Sequence, residues 1–95
     1  MTNLPIEKAE RIIRHYGAEK QLVFLAEECS ELAKEACKCI RDNKPYSADM
    51  IEEMADVQIM LMQFRRILPN YWYDRLYEIQ RQKLDRQLDR IANEE

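Results

Sequence analysis

The chain has 95 residues, of which 46% are apolar and 35% are charged, and its formal net charge is −3. One glycine and three prolines leave few turns and many positions suited to long helices, so the composition predicts a single all-α domain over residues 1–95. A chain this short buries only about 60–65% of the surface that its unfolded form exposes, which predicts marginal stability for a lone monomer. The negative charge excludes the general basic field that binds nucleic-acid polymers without sequence preference.

The apolar segments and the cysteines both favour a cytoplasmic location without a membrane partner. No stretch approaches the roughly 18 apolar residues of a membrane span, and the first seven residues, MTNLPIE, lack the apolar run of a secretory signal. Cys29, Cys37 and Cys39 cannot all pair with one another and lie inside helical patterns, as free structural thiols do in a reducing compartment. Cys37 and Cys39 point about 200° apart on a helix, which argues against a shared zinc ion.

Two helices are predicted in the first half of the chain. The first runs from about Pro5 to Tyr16, since proline suits a first helical turn and Gly17 is a natural stop, and it is short enough to act as a brace. The second runs from about Ala18 to Asp42 and carries an apolar stripe at three- and four-residue spacing, which predicts one buried face. The stripe comprises Leu22, Leu25, Ala26, Cys29, Leu32, Ala33, Ala36, Cys37 and Ile40.

A turn at residues 42–45 (DNKP) precedes a third helix, which Ser47 or Asp49 can cap and which extends to about Leu68. Apolar side chains lie nearly all around this helix, so we expect burial on several sides and a homodimer or larger assembly with the helix near the subunit interface. Its apolar residues include Met50, Ile51, Met54, Val57, Ile59, Met60, Leu61 and Phe64. Pro69 and Asn70 end it, and a fourth helix from Tyr71 to about Asn93 has one apolar and one charged face.

Two acidic pairs are the main candidate for chemistry. Glu28 and Glu31 are three residues apart on the second helix, and Glu53 and Asp56 are three apart on the third, so each pair projects from one side of its helix. An antiparallel hairpin brings the pairs to similar heights, although Glu31 lies roughly 7 Å further from the turn than Glu53 at about 1.5 Å per residue. Apolar neighbours should hold the acids near the packed seam, where oxygen ligands suit Mg²⁺ and a polyphosphate.

An alternative interpretation assigns the same acids to a solvated helix face. In that case Lys34, Lys38 and Arg41 would form salt bridges with them, because acid pairs at this spacing are common on helices. The placement of two acidic pairs on adjacent apolar helices, one on either side of a single turn, favours the metal site.

Residues 27–32 (EECSEL) and 52–57 (EEMADV) together resemble the signature of the MazG-like nucleotide pyrophosphohydrolases. That signature is E-x-x-E, a spacer, and E-x-x-D, and the resemblance covers the second and third predicted helices. Residues 83–86 (KLDR) are similar to the basic segment of small phage and bacterial members. The spacer after Glu31 is short for the family.

The resemblance implies a four-helix MazG-like bundle completed by homo-oligomerisation, as a homodimer or homotetramer. It also implies Mg²⁺-dependent hydrolysis of a nucleoside triphosphate to the monophosphate and pyrophosphate, with nucleotide-pool housecleaning as the expected role. Phosphoribosyl-ATP pyrophosphatase is a related activity whose motif context matches less well. Carried onto this sequence, the Mg²⁺ ligands are Glu28, Glu31, Glu53 and Asp56, the residue that orients water is Glu27, and the phosphate contacts are Lys83 and Arg86.

Other interpretations remain for the fourth helix and for the whole chain. Lys83 and Arg86 also fit a solvated basic face, and Tyr71, Trp72, Tyr73 and Tyr77 fit an interface better than base stacking. His15 is the only histidine, which excludes a multi-histidine metal site. The rival functions are a non-catalytic helical protein–protein interaction module, which needs no metal, and an inactive family member that keeps the metal.

Overall fold

The computed structural model describes residues 4–95 and contains four helices: α1 (Pro5–Tyr16), α2 (Ala18–Arg41), α3 (Ala48–Ile67) and α4 (Asn70–Glu94). Those residues contain no strand, so the predicted all-α class is confirmed, and the helix ends lie within about one residue of their predicted positions. Residues 1–3, part of the segment from which we predict no secretory signal, lie outside the described residues. No helix among residues 4–95 has the length and apolar character needed to cross a membrane.

Local signals fix the helix boundaries. Gly17 has a φ of +91°, a backbone conformation that favours glycine. Its N–H donates to the Ile13 carbonyl at 2.8 Å and so closes the last turn of α1. Between α2 and α3, the Ser47 hydroxyl accepts a hydrogen bond from the Met50 N–H at 3.1 Å. Of the two caps considered, it is therefore Ser47 that begins α3.

Helix α1 braces the other two helices of the core. It packs mainly on α3 and also touches α2, and its buried face is formed by Ala9 and Ile13, which are 3% and 1% exposed. On its rim, the Glu10 carboxylate lies 3.2 Å from the Arg66 guanidinium of α3. An apolar contact with a charged margin therefore holds α1 against the hairpin of α2 and α3.

Helices α2 and α3 form an antiparallel hairpin, which is the main packing unit of the chain. Close to the turn, Cys39 Sγ lies 3.8 Å from Met50 Sδ. At the open end, Gln21 Nε2 donates to Gln63 Oε1 at 2.8 Å inside the core. These two contacts show which residues of α2 face which residues of α3.

Helix α4 extends away from this core and has no buried residue. The Cα radius of gyration is 16.4 Å, whereas a compact domain of this length has a radius near 12 Å. The accessible surface is 7931 Å², against about 5,800 Å² for a compact protein of this mass. One chain by itself thus leaves a large part of its apolar surface uncovered.

The predicted burial of α3 on several sides is not reached within one chain. Only Met60 and Gln63 of α3 are buried, while Ile51, Ile59 and Leu61 are 52%, 43% and 42% exposed. The reason is geometric, because α1 and α2 cover two sides of α3 and α4 does not fold back to cover the rest.

The contribution of α1 packing to the free energy of unfolding can be measured with Ile13→Ala. Removing a fully buried isoleucine side chain should lower the free energy of unfolding by about 2–5 kcal/mol, measured by urea denaturation at fixed protein concentration. Its neighbour Ile12 is 37% exposed, so Ile12→Ala should cost clearly less. Equal losses in the two variants would contradict the assigned packing of α1.

Candidate metal centre

Three carboxylates from two helices converge on one point. Glu28 of α2 and Glu53 and Asp56 of α3 each offer an oxygen, and these oxygens all lie within 4.8 Å of one another. Glu28 and Glu53 are half-buried and Asp56 is exposed. The cluster therefore lies at the edge of the α2–α3 seam, with one side open to solvent.

The hairpin register accounts for this convergence. Glu28 follows Gln21 by seven residues and Asp56 precedes Gln63 by seven, so the register that pairs the two glutamines also sets Glu28 opposite Asp56 two turns away. The connection between Arg41 and Ala48 is long enough for the two helices to be staggered. That stagger absorbs the offset expected between the acidic pairs.

The other acids of the signature lie outside the group of three. Glu31 is exposed and is not part of the 4.8 Å cluster, but its negative charge contributes to raising the pKa of Glu53. Glu27 is exposed, next to Glu28, and also outside the cluster. The structure thus brings three of the four predicted ligands together and places Glu31 as a neighbour.

The environment disfavours the charged forms of two of these acids. Partial burial raises the pKa of Glu28 above its usual 4.5, and the nearby charges of Asp56 and Glu53 raise it further. Partial burial likewise raises the pKa of Glu53, followed by the charges of Asp56 and Glu31. Holding these carboxylates together therefore costs free energy at neutral pH.

Within the part of the chain that the structure describes, the acids of the cluster have no cationic partner. Among residues 4–95, no ion pair joins Glu28, Glu31, Glu53 or Asp56 to a lysine or arginine. The alternative in which Lys38 and Arg41 neutralise these acids is not observed, because Lys38 pairs with Glu35 and Arg41 with Asp42. In addition, Glu53 Oε2 is buried and has no hydrogen-bond partner.

The donor set fits a hard divalent cation. Oxygen ligands of Mg²⁺ lie about 2.0–2.1 Å from the ion, so two of them are at most about 4.2 Å apart. The 4.8 Å spread of the three oxygens needs only small side-chain rotations to meet that limit. A cation here would also give the buried Glu53 Oε2 a partner.

The apolar neighbours of the acids differ in their exposure. Leu32 and Val57 are half-buried beside the seam, whereas Cys29, Met54 and Ala55 are exposed. The cysteines are free as predicted, but Cys29 and Cys37 are exposed and only Cys39 is buried.

The basic residues of α4 lie away from the acids within one chain. Lys83 lines a cleft of about 430 Å³ together with Leu61, Arg65 and Tyr77. Leu61 and Arg65 are turned about 140° and 180° around α3 from Asp56, so the cleft is on the other side of that helix. Arg86 is exposed on α4, which does not pack closely on α2.

The aromatic residues at the start of α4 are exposed and contact one another. Tyr71 and Trp72 form an edge-to-face pair with ring centroids 5.0 Å apart, and Tyr73 and Tyr77 form another at 5.1 Å. Their exposed fractions lie between 40% and 65%. They present an apolar surface but no enclosed site for a base.

Glu35 is a further acid near the cluster, and the sequence motif does not include it. Glu35 is 8% exposed, pairs with Lys38 at 3.1 Å, and its charge helps to raise the pKa of Glu53. It follows Glu28 by seven residues, so it lies on the same face of α2. The seven-residue spacing from Glu28 is the feature of the sequence that could have identified Glu35 as a neighbour of the cluster.

Comparison of the chain with models of protein families, with curated proteins and with solved structures finds no match.

The raised pKa values predict how stability depends on pH without metal. A glutamate whose folded pKa exceeds its unfolded value destabilises the fold when ionised, and stability is regained as pH falls through the folded pKa towards the unfolded one. In EDTA at pH 7.5 we expect Glu53→Gln to melt at a higher temperature than the unsubstituted chain, because it removes a carboxylate whose pKa is raised. The difference should shrink as pH falls towards 4.5, where the Glu53 carboxylate becomes protonated.

The control for this measurement is Glu19→Gln, which removes one exposed negative charge from α2 outside the cluster. It should leave the pH dependence unchanged. A Glu53→Gln variant whose melting temperature falls at pH 7.5 would show that the Glu53 carboxylate is stabilising rather than strained.

Proposed function

We propose that the chain is a metal-dependent nucleoside triphosphate pyrophosphohydrolase of the MazG-like type. The observation that carries the proposal is the convergence of Glu28, Glu53 and Asp56 across two helices, without an ion pair to any lysine or arginine among residues 4–95. Acids in such a place raise the free energy of the fold unless a ligand uses them. The resemblance of residues 27–32 and 52–57 to the family signature supports the same conclusion.

Glu28, Glu53 and Asp56 would hold Mg²⁺, with Glu31 completing the set from the adjacent turn of α2. When bound, the ion supplies charge neutralisation for the triphosphate and polarises the phosphorus centre under attack. Ionised carboxylates accept hydrogen bonds but cannot donate them to phosphate oxygens. The charge of the site would therefore select for polyphosphates that arrive with a bound cation.

In the reaction, a water oxygen forms a bond to the α-phosphorus and the bond from that phosphorus to the bridging oxygen breaks. The bridging oxygen leaves with pyrophosphate, and the nucleoside monophosphate remains. A carboxylate that is free of the metal receives the proton of the water. Glu27, exposed beside Glu28, would orient that water from the solvent side.

Lys83 and Arg86 enter the proposal as phosphate contacts made within an assembly. Within one chain, α4 points away from the acids, so an α4 from a second copy is the natural source of these cations. Each would donate charge-assisted hydrogen bonds to phosphate oxygens. A solvated basic face remains the alternative for both residues.

The proposed active form is a homodimer or homotetramer. The chain exposes roughly 2,000 Å² more surface than a compact protein of its mass, and that excess lies in the range that obligate dimers bury. The uncovered apolar residues of α3 and α4, including Ile59, Trp72 and Leu88, would form the interface. The three free cysteines are compatible with a reducing cytoplasm as the place of action.

A second candidate function has an observation in its favour. The exposed apolar and aromatic residues of α4 also fit a non-catalytic helical interaction module whose acids only keep the protein soluble. That function needs neither a metal nor a triphosphate. A degenerate enzyme that binds the metal without turnover is the third possibility.

The activity is tested by pyrophosphate release from a panel of ribo- and deoxyribonucleoside triphosphates, with Mg²⁺ and with EDTA. Release should require Mg²⁺, and Glu53→Gln should lower it by about 10²-fold or more, because the substitution removes a ligand charge and the buried oxygen. Helical content measured by circular dichroism should stay the same. The panel also identifies the preferred base and sugar.

The matched control for Glu53→Gln is again Glu19→Gln, which changes the net charge equally. It should retain full release. Mg²⁺ binding by the unsubstituted chain without release from any triphosphate would favour the inactive relative, and neither binding nor release would favour the interaction module.

The assembly is tested by sedimentation velocity with Leu84→Glu, a charge placed in the apolar face of α4 where Leu84 is 57% exposed. The unsubstituted chain should sediment as a dimer or larger, and the variant should shift towards the monomer because a buried unpaired charge is costly. Asn93→Asp adds the same charge near the helix end and should leave the assembly intact. A monomeric unsubstituted chain would remove the oligomer from the proposal.

A further inference from the structure

Two glutamines are the most completely buried polar side chains of the hairpin. Gln63 is 2% exposed and Gln21 is 5% exposed. The Gln21 amide donates to Gln63 Oε1 at 2.8 Å, and the Gln63 amide contacts Met60 Sδ at 3.6 Å. Gln21 Oε1 is buried without a partner, so the pair does not reach the stability that an apolar pair would give at this place.

The glutamines are in phase with the acidic cluster. On α2, Gln21, Glu28 and Glu35 follow one another at seven-residue intervals and therefore share a face. On α3, Asp56 and Gln63 are also seven apart. The hydrogen bond between the glutamines and the contact between Glu28 and Asp56 are consequently two layers of the same seam.

The contact nearest the turn constrains the register less strictly. The Cys39 thiol lies 3.8 Å from Met50 Sδ, and a weak sulfur contact of this kind costs little to lose in a shift of one turn. The Gln21–Gln63 hydrogen bond is costly to lose, because a shift of about 5.4 Å would leave both amides unpaired in the core. A single buried polar pair of this kind is known to fix helix register at some cost in stability.

We propose that Gln21 and Gln63 are positioning residues that lock the α2–α3 register and thereby set Glu28 opposite Asp56 and Glu53. The part of this inference that concerns metal binding rests on the proposed function. The part that concerns register does not, since it follows from the hydrogen bond alone.

The decisive variant is Gln21→Met with Gln63→Met, which keeps the volume and shape of both side chains and removes the hydrogen bond. It should keep its helical content and melt at the same temperature or higher, because replacing both partners by apolar groups leaves no amide unpaired. Its affinity for Mg²⁺ alone, measured by calorimetry, should fall roughly tenfold or more. Amide NMR signals of α2 and α3 should appear in more than one set.

Two further variants separate register from stability. Gln63→Met alone leaves the buried Gln21 amide unpaired and should melt several degrees below the double variant. Cys39→Ala changes the same seam near the turn, away from both glutamines, where Cys39 is 6% exposed, and it should keep the Mg²⁺ affinity and a single set of signals. A merely structural role of the glutamines would make Mg²⁺ affinity follow stability in all of these variants.

A double variant with unaltered Mg²⁺ affinity and one unshifted set of amide signals would overturn the proposal. Loss of folding in the double variant would overturn it too, because the pair would then supply stability rather than register. If the unsubstituted chain binds no Mg²⁺, it is the proposed function that fails. The NMR signals of the double variant then decide the register question by themselves.

Discussion

Mutual repulsion of carboxylates held across the α2–α3 seam is the constraint on which the rest of the structure depends. Glu28, Glu53 and Asp56 lie within 4.8 Å of one another, and burial and neighbouring charge raise the pKa values of the two glutamates. Contacts outside the cluster must therefore hold the helices together against this repulsion. The packing of α1 on the hairpin through the buried side chains of Ala9 and Ile13 supplies such contacts.

The helices could be predicted from sequence because their ends carry strong local signals. Gly17 adopts a positive φ that other residues rarely take, and Ser47 caps α3 with its own hydroxyl. The acidic pairs were also accessible, since three-residue spacing on a helix directs side chains to one side. Glu28 and Asp56 come close together, however, because the two helices are staggered, and the periodicity of apolar residues does not specify a stagger.

Burial was harder to predict than position, and the errors follow a physical pattern. Gln21, Glu35 and Gln63 are polar residues that lie in the seam, whereas Ile40, Ile51 and other large apolar residues are exposed. A polar side chain on a helix is ordinarily assigned to solvent, and only a specific partner such as Gln63 for Gln21 justifies burying it. Such partners come from tertiary contacts, which residue type alone does not reveal.

The small apolar core of a single chain and the repulsion between its carboxylates affect stability together. α1, α2 and α3 bury few large side chains, so a single chain has little stability with which to oppose the repulsion of its acids. A second copy covering α3 and α4 would add apolar burial, and a cation would remove the repulsion, so each would make the other easier to accommodate. Assembly and metal binding should accordingly be coupled, with Mg²⁺ strengthening the association of subunits to the same degree that association strengthens the binding of Mg²⁺.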